Sequence, residues 1–196
     1  MKPFNGYKPE KIVSRETLPA GGYIAEILKA EEVPYDWGNV LVISFDIAEG
    51  QYKDHFEKDY KAQTNEDRKW RGTCRINIPK DDGTEKDAFT KKMFNNAMYA
   101  IEDSNPGYKW NWNETTLNGK KIGVLFRNKE WEYNGKTGWT TECYALASVN
   151  DIRSGNYKIA KDKPLKNKSV STGNLPFYDS REPYSELYDN DKDLPF

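Results

Sequence analysis

The chain has 196 residues and a formal net charge of −1; 36% of its residues are hydrophobic and 31% are charged. That apolar fraction fills one modest core and not two, and no apolar run approaches the ~20 residues of a membrane span. Two cysteines and a single histidine exclude a disulfide framework, a four-ligand zinc site and histidine-dependent triads.

Residues 1–13 read as a polar leader. Met1-Lys2-Pro3-Phe4-Asn5-Gly6 lacks the apolar core of a signal peptide, so a reducing cytoplasm is the expected compartment. A folded domain is expected over residues 14–154. Its first strand is Tyr23 to Ala30, and Val33-Pro34-Tyr35-Asp36-Trp37-Gly38 is a turn that carries two rings. Asn39 to Glu49 alternates cleanly, with Leu41, Ile43, Phe45 and Ile47 on one face. Residues 51–69 are polar and have no period. Trp70 to Ile78 alternates again: Trp70, Cys74 and Ile76 face the core, and Arg71 and Arg75 face away. Residues 87–103 switch to helical spacing through Phe89, Met93, Phe94, Ala97, Met98 and Ile101, and Asn105-Pro106-Gly107 ends the helix.

Trp110 and Trp112 follow in a loop. In the strand from Lys120 to Tyr133, Ile122, Val124 and Phe126 point inward, whereas Arg127, Lys129, Trp131 and Tyr133 keep the outward parity. Asn134-Gly135 is a hairpin turn. In the return strand, Trp139 and Cys143 take the core parity, and Tyr144 shares the outward parity of Glu142 and Leu146. Cys74 and Cys143 are therefore expected as buried, inert thiols. After residue 154 no period remains, and residues 155–196 are expected to be a flexible tail. The tail opens with a basic neck, Lys158, Lys161, Lys163, Lys166 and Lys168. From Ser171 onward it carries six acids against Arg181 and Lys192.

Five strands with one helix between the third and the fourth predict an all-β domain with an OB-fold, a five-stranded Greek-key barrel. The chain closes on Tyr188-Asp189-Asn190-Asp191-Lys192-Asp193-Leu194-Pro195-Phe196. This resembles the acidic C-terminal tip of bacterial single-stranded DNA-binding proteins. With the element order and the segments Leu18 to Tyr23 and Phe45 to Lys53, the chain resembles the single-stranded DNA-binding proteins of phages and mobile elements. The resemblance implies a non-enzymatic protein that coats single-stranded DNA during replication and recombination. It also implies a tip, Asp189, Asp191, Asp193, Leu194, Pro195 and Phe196, that recruits replication and recombination proteins. Lys192 interrupts the acidic run of that tip.

Single strands are held by cations that track phosphates and by rings that stack on bases. Tyr35, Trp37, Arg71, Arg75, Arg127, Lys129, Trp131, Tyr133 and Tyr144 are the candidate residues, and no cofactor, metal or membrane is called for. Two rivals are a protein-interaction adaptor, because interfaces are also rich in Trp, Tyr and Arg, and a two-carboxylate, metal-dependent nuclease.

Overall fold

A computed structural model describes residues 2, 5–7, 17–64 and 67–165. The strands are β1 (Gly21–Tyr35), β2 (Gly38–Ile47), β3 (Thr73–Asn77), β4 (Lys121–Tyr133) and β5 (Lys136–Ala147). The helices are α1 (His55–Ala62), α2 (Glu85–Ser104) and α3 (Val149–Ser154), with a short 3-10 turn at Glu114–Leu117. All strand pairs are antiparallel and form one sheet in the order β3-β2-β1-β4-β5. The edges β3 and β5 touch but are not hydrogen-bonded to each other. No helix among the described residues is long and apolar enough to cross a membrane.

The alternation of β2 sets the core. Leu41, Ile43, Phe45 and Ile47 are all buried and meet Cys74 and Ile76 of β3 and Ile27 of β1. The apolar stripe of α2, from Phe94 through Ile101, closes over them, although Phe89 at its start stays exposed. Thr84 caps α2 by accepting from the Asp87 amide at 3.1 Å.

Two expectations need correction. The stretch 51–69 is not irregular throughout, because α1 lies in it. That helix has no side-chain cap at Asp54. Its orphan amides are satisfied from afar: the buried carboxylate of Asp46 on β2 accepts from Phe56 N and Glu57 N, both at 2.9 Å. The folded unit also does not stop at residue 154. Residues 156–165, here called the strap, return over β4. Lys163 N donates to Asn128 O and Glu130 N donates to Lys163 O, both at 2.9 Å. Leu165 N then donates to the Glu130 carboxylate at 3.1 Å. A single strap residue pairs with β4, so no alternation marks the segment in sequence.

Candidate nucleic-acid interface

β4 leaves its neighbour β1 where Phe126 pairs with Gly21, and continues paired chiefly with β5. The result is a two-stranded arm, residues 127–142, turned at Asn134 and Gly135. Their φ angles of 49° and 71° fit the preference of that dipeptide for hairpin turns. Arg127, Lys129, Trp131 and Tyr133 lie on one face, in register with Glu142, Thr140, Gly138 and Lys136. Trp131 is 40% exposed and Tyr133 58%. The Trp131 ring covers Gly138; a Cβ there would lie 2.7 Å from ring carbon Cζ2.

Trp139, expected in the core, is instead 53% exposed on the opposite face of the arm. Its parity with the half-buried Cys143 is as read, but the core ends first. Thr141, between them, already bonds the chain at Leu18 O, and Trp139 lies beyond β1, which starts opposite Phe126.

At the root of the arm the outward face is covered. Tyr144 is the extra residue of a bulge, where Leu125 pairs with Ala145 but Phe126 pairs with Cys143. Its ring packs with Leu125 and Ala145 under Ile152, Tyr157 and Ala160. Its hydroxyl donates to Lys158 O at 2.7 Å and accepts from Ala160 N at 3.0 Å. Burial pushes the phenol pKa up. The expectation that Tyr144 offers its ring to a base is therefore corrected, because the strap occupies that face.

Beside it, Arg127 lies over the Tyr144 ring at 5.5 Å and pairs with Glu142 at 3.0 Å. Lys129 and Lys163 approach the same carboxylate at 3.3 and 4.0 Å. Three cations thus converge on one carboxylate just below Trp131.

The remaining candidates lie elsewhere. Tyr35 and Trp37 flank the β1–β2 turn and stack on each other, with centroids 5.4 Å apart and planes 16° from parallel. β1 runs toward that turn and β4 runs away from it, so the two hairpin tips sit at opposite ends of the sheet. Arg71 precedes β3 and binds the buried Asp59 of α1 at 3.2 Å. Arg75 is on β3 opposite Val42, and among the described residues it has no ion-pair partner.

Trp112, which the sequence left in a loop without a role, is 76% exposed and stacked on Phe94 with centroids 6.0 Å apart. The signal for Trp139 was its distance from the turn: it pairs with Glu130, toward the tip.

Asp189, Asp191, Asp193, Leu194, Pro195 and Phe196 lie outside the described residues. Among the described residues, no group of three or more His, Cys, Asp or Glu side chains is placed to hold a metal ion. No protein-family model matches the chain, and no curated protein matches it.

Proposed function

We propose that this protein is a non-catalytic binder of single-stranded DNA with little sequence preference, gripping the strand along the β4–β5 arm. The observation that carries the reading is the arm itself. Trp131, Tyr133 and Trp139 are exposed at its distal end, next to three cations, Arg127, Lys129 and Lys163, gathered around Glu142. Rings of this kind stack on any base, and cations of this kind follow phosphates. Strand order supports the scaffold: joining the contacting edges β3 and β5 closes the order β3-β2-β1-β4-β5 into a five-stranded OB-type barrel. Arg75, on the outer face of β3, extends the path. The acidic tip, Asp189 to Phe196, recruits replication and recombination proteins in this reading. Its terminal ring supplies burial and its carboxylates supply charge-assisted bonds.

A titration of labelled oligo-dT of about 30 nucleotides, read by anisotropy at two salt concentrations with duplex DNA as competitor, tests the reading. Binding that salt weakens and duplex does not displace is expected, because released counterions drive phosphate contact. Absence of binding at low salt overturns it. A second reading, a protein-interaction adaptor, draws on Arg71 and Arg127, which are already ion-paired to Asp59 and Glu142. Tight capture of a replication protein without oligonucleotide binding would favour it.

A further inference from the structure

Trp112 is the most exposed large apolar side chain among the described residues. Its φ of 63° lies in the left-handed region, which bulky side chains rarely adopt. Packing does not account for either fact. Trp110, two residues earlier, already packs against the core. The Trp112 ring only lies parallel to the buried Phe94 ring, with planes 9° apart, and its other face meets solvent. The loop fixes the backbone on both sides of it. The Glu102 carboxylate accepts from Trp110 N at 2.9 Å, Asn111 Oδ1 accepts from Asn113 N at 3.2 Å, and Asn113 Oδ1 accepts from Thr115 N at 3.1 Å.

The surroundings say what covers the open face. Lys109, Asn111 and Asn113 are exposed around it in sequence, and Lys92 and Asn95 are exposed on either side of Phe94. Residues 105–121 carry three lysines against one acid, Glu114, although Glu102 holds Lys109. A docked apolar peptide needs an apolar rim. A nucleobase needs a flat ring, amides that can reach its edge and cations for its phosphates. The loop also lies away from the arm. Before β4 begins, the chain follows β1 in the other direction: Gly119 N donates to Ile27 O at 2.7 Å, and Ala30 N donates to Asn118 Oδ1 at 3.1 Å. From Lys121 to Tyr133 the strand then spans at most ~40 Å.

We propose that Trp112 is a second base-stacking platform, so that one single strand of DNA is held near both ends of β4. This rests on the reading of the arm as a DNA-binding element. Oligo-dT of about 30 nucleotides carrying scattered 5-iododeoxyuridine, photo-cross-linked to the full chain and then digested, tests it. Iodouracil couples to the ring it stacks on, so a peptide containing Trp112 should appear beside peptides from the arm. In anisotropy titrations Trp112→Asn, which removes the ring but tolerates the left-handed backbone, should lower affinity at least about fivefold with the salt slope unchanged. Trp112→Tyr should stay within about threefold. The Tm of Trp112→Asn should move by no more than about 3 °C. Cross-links confined to the arm overturn the second platform and leave the arm standing. So does Trp112→Asn binding as tightly as the unmodified chain, which would leave the ring to a protein partner. An affinity loss accompanied by a Tm loss above about 8 °C marks a structural role and overturns it as well. Absence of binding by the unmodified chain removes both readings together.

Discussion

The root and the tip of the β4–β5 hairpin share strands, register and alternation, yet their outward faces differ. At the root, Tyr144 is 6% exposed and its hydroxyl makes two hydrogen bonds to the strap. Arg127 is held by Glu142 and lies over the same ring. At the tip, Trp131, Tyr133 and Trp139 stand between 40% and 58% exposed, with β1 left behind. Parity states which face a side chain takes; what covers that face depends on chain far away in sequence. The root is therefore a place for stability, and the tip is where the proposed binding falls.

Substitutions can break this contrast. The largest effect is expected at the root. Tyr144→Ala removes a buried ring and should cost about 3–5 kcal/mol in urea unfolding. Tyr144→Phe loses only the two hydroxyl bonds, about 1–2 kcal/mol, and should leave oligo-dT affinity within about twofold. A loss of affinity from Tyr144→Phe without a loss of stability would put the root in the binding site. At the tip the pattern inverts. Trp131→Ala should cost roughly 1–3 kcal/mol of oligonucleotide affinity, with a stability change within about 0.5 kcal/mol.

Between root and tip lies Glu142, which faces Arg127, Lys129 and Lys163. Glu142→Gln releases those cations to a phosphate chain. Affinity at low salt should rise by about 0.5–1 kcal/mol, the scale of a part-exposed ion pair, and the salt dependence should steepen. An unchanged salt slope would show that the cluster does not meet phosphate.

The smallest effect concerns Tyr23, where β1 meets β4. Its hydroxyl donates to Pro19 O at 2.7 Å, its ring packs edge-on against Phe126, and burial pushes its pKa up to about 12. In the unfolded chain the phenol ionises near pH 10. Between about pH 10 and 12 the unfolded state has lost a proton that the folded state keeps. This contribution is thus complete below pH 10 and is lost as pH rises toward 12. Tyr23→Phe should flatten the stability profile in that window, as read by denaturant melts.

Much of the fold was legible because it is local. Leu41, Ile43, Phe45 and Ile47 alternate and are all buried; the stripe of α2 from Met93 to Ile101 is buried; Asn134-Gly135 makes the turn. What escaped is long-range. α1 has eight residues and is capped by Asp46 from β2, so no local start signal exists. The strap is ordered by β4 and Tyr144, not by a pattern of its own.

The candidate site was legible in the same uneven way. Trp131 and Tyr133 are exposed on the expected face. Tyr144 lies at a bulge under the strap, and Trp139 passes the end of the core, which only its closeness to the turn marks in the sequence. Arg71 and Arg127 meet carboxylates of α1 and β5, pairings that become visible only once the chain is folded.

The central claim is that rings at the tip of the arm stack on a single strand of DNA. The most direct test is labelled oligo-dT binding by the Trp131→Ala/Tyr133→Ala double variant beside the unmodified chain, across several salt concentrations. Affinity should fall at least about tenfold at every salt, with the slope of log affinity against log salt unchanged, because rings and not phosphate contacts are removed. Equal affinity of the two proteins at all salts would contradict the account.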